Sequence, residues 1–193
     1  MTRNTTKKLT LVAVLSAISF ALTIFPQVVI IPSASFLKID FSIVPAFLAL
    51  EWLGLSSATY VLLIRTVLKL LLFNEGVNTY IGLPVNLLIG LTFIFFIAGM
   101  QKVEIKWPKW LWQTVSVAVA SVAMTIMAYL VNIVWAIPLY ARFANFDIAK
   151  FIGIKVYLWG MVVPFNLLEG VIWFVVSAIV VAVLKPFKKS FRS

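Results

Sequence analysis

The sequence contains no cysteine and no histidine among its 193 residues, and only six residues are aspartate or glutamate. The two missing residue types exclude disulfides, thiol nucleophiles, imidazole bases and the commonest soft metal ligands. The few carboxylates leave little material for acid–base chemistry, which needs groups within hydrogen-bond reach of each other. No GxxxxGK[S/T] segment occurs either, so the chain has no P-loop for a nucleotide. The composition therefore argues against an enzyme and against a metal site.

What the chain does contain is apolar: hydrophobic residues make up 63% of it and charged residues 11%. Such a composition is typical of an integral membrane protein. About 20 helical residues cross the hydrocarbon core, so the chain has room for about six spans with short connections. We predict one all-α transmembrane domain, residues 1–193, with six spans at residues 9–25, 41–53, 56–73, 80–100, 111–137 and 157–184.

The basic start and apolar core of the first 25 residues also resemble a secretory signal peptide. The apolar run is longer than is usual for such a signal, and no clear cleavage site follows it. We therefore interpret residues 9–25 as the first span.

The 16 lysines and arginines follow the positive-inside rule rather than a nucleic-acid-binding pattern. With six spans and an internal N-terminus, three basic residues precede the first span, three lie between the fourth and fifth spans, and four follow the last. The outer segments hold only four, which are Lys38, Arg142, Lys150 and Lys155. We therefore expect a multi-pass protein of the bilayer with both termini in the cytoplasm and no nucleic-acid partner.

Polar residues within the predicted spans are the candidate functional groups, because a charge at the bilayer centre costs about 2.5 to 3.5 kcal/mol on insertion scales. These residues are Arg65, Lys69, Asn86, Asn132, Asn166 and Glu169. One interpretation is structural: an ion pair and amide bonds between helices. The other is a ligand site, because all three asparagines and Glu169 fall in the outer parts of their spans. Such amides suit a neutral, partly aromatic ligand with hydroxyls or ring nitrogens.

The first span carries alanines at intervals of four residues, Ala13, Ala17 and Ala21. Small residues at this spacing form a smooth stripe on one helix face and let another helix approach closely. Packing within this chain and docking on a partner protein both fit the pattern.

The loop that follows the first span is unusually apolar, with the sequence VVIIPSASFLKID. Apolar side chains on an exposed connection are unfavourable in water. We therefore expect this loop to fold back onto the protein.

Three features together resemble the riboflavin-binding S components of energy-coupling factor (ECF) transporters: FLKIDFSIVPAFLALEWLG after the first loop, the alanine stripe, and VPFNLLEG at the start of the last span. The resemblance covers essentially the whole chain. The LKIDFS segment is shared among S components for different vitamins, whereas PFNLLEG points to riboflavin. The resemblance implies a high-affinity riboflavin-binding subunit in the bacterial plasma membrane. It also implies that the chain is not an enzyme, has no cofactor, and works with a transmembrane coupling protein and two ATPase subunits.

Residue by residue, the resemblance implies a ligand site and a partner interface. The implied ligand-binding residues are Asn86, Asn132, Asn166 and Glu169 in the spans and Leu37, Lys38 and Asp40 in the loop that covers the vitamin. The implied interface residues are Ala13, Ala17 and Ala21. Many relatives have lysine in place of Glu169 and an acid in place of Ile43. A carboxylate at position 169 accepts hydrogen bonds from ribityl hydroxyls but repels a phosphate, so flavin mononucleotide is the less expected ligand.

Three alternatives remain open. An S component for thiamine or folate would share the loop motif. A membrane-embedded enzyme would use Glu169 or Asp40 as its acid or base, although few partner groups are available. A passive channel would be expected to carry a ring of like charges, which these spans lack.

Overall fold

The structure, a computed structural model, describes residues 3–34 and 36–188. Within these residues the chain is almost entirely helical, with one small two-stranded sheet. In chain order the elements are α1 (Arg3–Ile24), β1 (Gln27–Val29), β2 (Lys38–Asp40), α2 (Ile43–Leu53), α3 (Leu55–Leu72), α4 (Val77–Gln101), α5 (Lys109–Val131), α6 (Ile137–Phe143), α7 (Ile148–Phe151) and α8 (Val163–Leu184). Two π-helical segments interrupt this order, the first at Asn132–Ala136 and the second at Val156–Val162.

Five helical segments of the described chain are long and apolar enough to cross a membrane. They are Thr5–Ile24, Leu55–Leu72, Val77–Gln101, Lys109–Phe143 and Val156–Phe187. These segments correspond to the predicted first, third, fourth, fifth and sixth spans. The chain is therefore a helical membrane protein, as its composition predicts.

The predicted second span, residues 41–53, differs from the other five. Its helix α2 has 11 residues, which is about 16 Å along the axis and about half of a hydrocarbon core. Every residue from Ile43 to Leu50 is buried, against α1, α3, α4 and α8. The uniform hydrophobicity of this run therefore reflects burial on all sides within the bundle. A short apolar run does not by itself distinguish a lipid-facing helix from a buried one.

The first loop folds back onto the bundle, as its apolar sequence predicts. Strands β1 and β2 pair in antiparallel register, with Val28 opposite Ile39 and Gln27 opposite Asp40. Successive strand residues point to opposite sides, so Ile39 is 1% exposed while its neighbour Lys38 faces solvent. The ring of Phe36 lies 6.1 Å from that of Tyr157 at the start of the last helical segment.

The two π-helical segments each lie just before a proline, Pro138 in α6 and Pro164 in α8. Proline has no N–H and its ring clashes with the carbonyl four residues earlier in an α-helix. A widened π turn removes that conflict and keeps the rod continuous. The fifth and last helical segments therefore run through their prolines without a break.

Candidate functional site

The polar residues of the last helix lie on its inward face. The buried residues of α8 are Phe165, Asn166, Glu169, Gly170, Trp173 and Ser177, a set of spacings that marks one side of an α-helix. Asn166 is 3% exposed, and its Nδ2 donates to the carbonyl of Val162 at 2.8 Å. No residue in the described part of the chain donates to its buried Oδ1. The amide oxygen of Asn166 is therefore an acceptor available to a ligand.

Glu169 lies three residues further along the same face and is 4% exposed. Its carboxylate makes no hydrogen bond within the described part of the chain, although Asp40 and Arg65 act on it electrostatically. A buried carboxylate without donors has lost its hydration and has gained no hydrogen bond in exchange. A ligand N–H or O–H group at this position would therefore be stabilised.

Gly170 explains how this face comes so close to α5. A Cβ built on Gly170 would lie 2.3 Å from the Oγ of Ser121 and 2.9 Å from its Cβ. Only glycine permits this approach, because real Cβ atoms do not come so near to other heavy atoms. The close contact fixes α8 against α5 next to Glu169.

Asn132 lies on the next helical rod, as the first residue of the first π-helical segment. Its Oδ1 accepts a hydrogen bond of 2.6 Å from the hydroxyl of Tyr157, and its Nδ2 donates to the carbonyl of Ala128 at 2.8 Å. Tyr157 belongs to the second π-helical segment. The two widened turns are thus joined by a buried hydrogen bond directly beneath Phe36 of the first loop.

Asn86, which is half-buried, and Asp40, which is buried, lie in a cluster around Arg65. The Nη2 of Arg65 donates to the Oδ1 of Asn86 at 2.6 Å, and its Nη1 donates to the Oγ of Ser42 at 2.6 Å. Asp40 accepts from both the N–H and the Oγ of Ser42, at 2.9 and 2.5 Å. The backbone carbonyl of Asp40 accepts from the indole Nε1 of Trp173 at 2.8 Å. The cluster therefore connects the end of the first loop to α3, α4 and α8.

The three predicted loop residues have different environments. Asp40 is 8% exposed and belongs to the cluster around Arg65. Leu37 is half-buried and packs on the hydrophobic core. Lys38 is exposed on β2 and is directed away from Ile39, which is buried. Of these three, only Asp40 is shown to join the buried polar groups.

The alanine stripe of α1 lies on the outer surface of the chain. Ala13, Ala17 and Ala21 are all exposed, whereas the hydroxyl residues Ser16, Ser19 and Thr23 on the other side of the helix are buried. Of the two sequence-based interpretations of the stripe, packing within this chain is wrong. The stripe is a free surface of this chain.

Beside the predicted ligand-binding residues, the arrangement contains Arg65, Trp173, Ser42 and Tyr157. Arg65 was already a candidate functional group by its position within a span, and Trp173 also carried a signal, because a charge and an indole N–H at membrane depth require partners. Ser42 and Tyr157 carried none, since serine and tyrosine are common near span ends. The described residues contain no group of three or more carboxylate, histidine or cysteine side chains that could hold a metal ion.

The chain matches a known protein family over most of its length. A family model described as "ECF transporter, substrate-specific component" matches residues 7–181. This chain is an ECF S component. The S component is 56% identical over 188 residues to the riboflavin transporter RibU of Leuconostoc mesenteroides, covering 97% of this chain and 95% of that protein. It is 44% identical over 180 residues to RibU of Streptococcus thermophilus, covering 93% and 83% of the two chains.

The fold of this S component is similar to a solved structure, that of the S component of a bacterial ECF transporter. The TM-score is 0.76 and the sequence identity 26%, over 95% of this chain and 98% of that chain. The protein is therefore a transporter subunit of the membrane and not an enzyme.

Proposed function

We propose that this S component binds riboflavin with high affinity from the outer side of a bacterial plasma membrane, for uptake through an ECF transporter. The observation that carries the proposal is a pair of acceptors on α8 that have no hydrogen-bond donor among the described residues: Asn166 Oδ1, which is buried, and the carboxylate of Glu169, a residue 4% exposed. The names of two relatives, both riboflavin transporters, support it. Riboflavin offers an imide N–H between two carbonyls and a chain of hydroxyls, which are donors for such acceptors.

The binding region is proposed to lie between the first loop and the outer ends of α4, α5 and α8. Asn132, Asn166 and Glu169 would provide the polar contacts. Phe165 and Leu37, which are buried and half-buried, would provide apolar walls for the flavin ring. Pockets of this kind are mostly apolar, with a few polar groups that fix the orientation of the ligand.

The whole chain, residues 1–193, is proposed to act as one domain with six membrane segments and both termini in the cytoplasm. In this topology α2 and the end of the first loop together form the short second segment. The excess of basic residues in the inner segments, ten against four outside, supports this orientation.

The partners are proposed to be a transmembrane coupling protein and two ATPase subunits, since this chain has no P-loop of its own. Ala13, Ala17 and Ala21 would contact the coupling protein. Their exposure along one face of α1 supports this assignment, because small side chains let two helices approach closely within a bilayer.

Titration of the purified protein with riboflavin tests the function directly. We expect saturable quenching of flavin fluorescence with one riboflavin bound per chain. Thiamine and folate should not compete, and flavin mononucleotide should bind more weakly because its phosphate would be repelled by the buried carboxylate. Binding of thiamine or folate without riboflavin binding would replace this proposal by an S component for that vitamin.

A further inference from the structure

Arg65 is a buried cation in the middle of α3 that has no role in the proposed contacts to riboflavin. It is 2% exposed. A charge at this depth is costly unless it is paired and hydrogen-bonded. The described structure places two acceptors on its guanidinium, the Oγ of Ser42 and the Oδ1 of Asn86, each at 2.6 Å. Arg65 therefore joins the end of the first loop to α4.

The contact with Ser42 extends to Asp40. The hydroxyl of Ser42 accepts from Arg65 and donates to Asp40 Oδ1 at 2.5 Å, so it bridges the guanidinium and the carboxylate. The second carboxylate oxygen of Asp40 accepts from Asn86 Nδ2 at 3.5 Å. Opposite charges thus compensate each other through two neutral groups, and the Asp40 carboxylate attracts Arg65 electrostatically.

The same short segment is held from two further directions. Trp173 of α8 donates from its indole to the carbonyl of Asp40 at 2.8 Å. Ser19 of α1 donates to the carbonyl of Ser42 at 2.6 Å. The loop end at Asp40 to Ser42 is therefore fixed against the helix that carries Asn166 and Glu169.

We propose that Arg65 is a positioning residue of the ligand site, which holds the first loop closed through Ser42 and Asp40 and so slows release of the ligand. In this proposal Asp40 and Asn86 act through the guanidinium, because Asn86 Oδ1 accepts from it directly and Asp40 is joined to it by the hydroxyl of Ser42. This inference rests on the proposed function, since the ligand whose release it describes is riboflavin.

The role requires arginine in particular. A guanidinium is a planar fork with several N–H groups and reaches two acceptors on different elements at once. A lysine ammonium at position 65 would retain the charge but would contact either Ser42 or Asn86. Arg65→Lys is therefore expected to restore protein stability more fully than it restores slow release.

The test is the rate of riboflavin release from purified protein, followed by the recovery of flavin fluorescence after dilution. Arg65→Gln is expected to release riboflavin about tenfold faster, the loss expected for one hydrogen bond to a charged group, with little change in the association rate. Ser42→Ala is expected to have a smaller effect of the same kind. The double variant should release riboflavin no faster than Arg65→Gln alone, because both changes break the same connection.

Two variants serve as matched controls. Lys69→Gln removes a cation one turn further along α3 whose Nζ lies over the ring of Phe73. Ser116→Ala removes a buried hydroxyl that bonds only within its own helix, to the carbonyl of Trp112. Both should release riboflavin at the rate of the unchanged protein.

If the increase in release rate in the double variant equals the product of the increases in the two single variants, Arg65 acts on the ligand independently of Ser42. That result would overturn the inference. A lower melting temperature with unchanged release would also overturn it. If Arg65→Gln fails to fold, Ser42→Ala decides alone, and an unchanged release rate would count against the proposal. A protein that does not bind riboflavin before any substitution refutes the proposed function instead.

Discussion

The first and last helices, α1 and α8, have the same length of 22 residues but display opposite kinds of surface. In α8 the polar residues Asn166 and Glu169 are turned into the bundle. In α1 the small residues of the alanine stripe are turned outward, while the hydroxyl residues are turned in. Within the described residues, the inward face of α8 presents acceptors without hydrogen-bond donors, and the outward face of α1 presents a stripe of small side chains beside the exposed Val14 and Ile18.

In the proposed function these two surfaces serve two kinds of recognition. Hydrogen bonds from α8 would hold a solute, and such bonds are strong where water is excluded. Close packing on α1 would hold a membrane partner, because lipid tails provide no hydrophobic driving force between helices. Changes on the two helices should therefore affect different steps of uptake.

The largest effect is expected at Gly170, where α8 meets α5. Gly170→Leu places side-chain atoms on Ser121, whose Oγ is 2.3 Å from the position of the added Cβ. Overpacking of this kind commonly costs about 1 to 3 kcal/mol and occasionally more. We expect loss of most monodisperse protein in size-exclusion chromatography and loss of riboflavin binding.

Gly99→Leu is the control for this change, because a Cβ at Gly99 has no neighbour within 4 Å. It should leave yield and binding unchanged. Equal behaviour of the two variants would contradict a tight contact between α5 and α8.

A bulky residue on the stripe should separate binding from transport. Ala17→Trp is expected to abolish most ATP-driven uptake of labelled riboflavin into proteoliposomes that contain the complete transporter. Binding by the isolated protein should stay normal, because Ala17 is exposed, whereas Ser19, which donates to Ser42, is buried on the other side of α1. Ile126→Trp, at a position 56% exposed on α5, should affect neither property. Normal uptake by the Ala17 variant would leave the stripe without a role in coupling.

Removal of the acceptors on α8 should weaken binding without unfolding the protein. Asn166→Ala and Glu169→Ala are each expected to raise the riboflavin Kd about tenfold or more, as for loss of a buried hydrogen bond. Fluorescence titration measures the change. Leu168→Ala, at a position 43% exposed on the same helix, is the control. Unchanged Kd values for both polar variants would remove these residues from the site.

The smallest effect is expected from the bond between the π-helical segments. Tyr157→Phe removes the hydroxyl that donates to Asn132 Oδ1 at 2.6 Å, and we expect the Kd to rise about fivefold as this amide becomes free to turn. Tyr60→Phe changes a tyrosine that is 58% exposed on α3 and should be silent. If Tyr157→Phe binds riboflavin normally, Asn132 does not depend on Tyr157 for its orientation.

Most of the fold follows from the sequence, because long apolar runs bounded by charges and prolines mark helices that cross a bilayer. Five of the predicted segments are found within a few residues of their expected bounds. The predicted span at residues 41–53 is only a short buried helix. Hydropathy alone does not distinguish such a buried helix from a membrane span, since burial in protein and burial in lipid favour the same side chains.

The candidate site was predictable in part. Asn166 and Glu169 were expected to turn inward, and both are buried. Their role in binding stays a prediction. The sequence did not predict which of the remaining polar residues join the cluster around Arg65. Hydrogen bonds such as those from Arg65 to Ser42 and Asn86 join positions more than 20 residues apart in the sequence. No local pattern encodes such a contact.

The second π-helical segment also sets the rotational phase of the last helical rod. A π turn is equivalent to one residue inserted into an α-helix. Deletion of one residue from this segment would return the rod to a regular α-helix and rotate everything before the deletion by about 100°. Tyr157 would then turn away from Asn132, while Asn166 and Glu169 would keep their direction. The residues before and after the widened turn therefore have independent rotational positions about the axis of this helical rod.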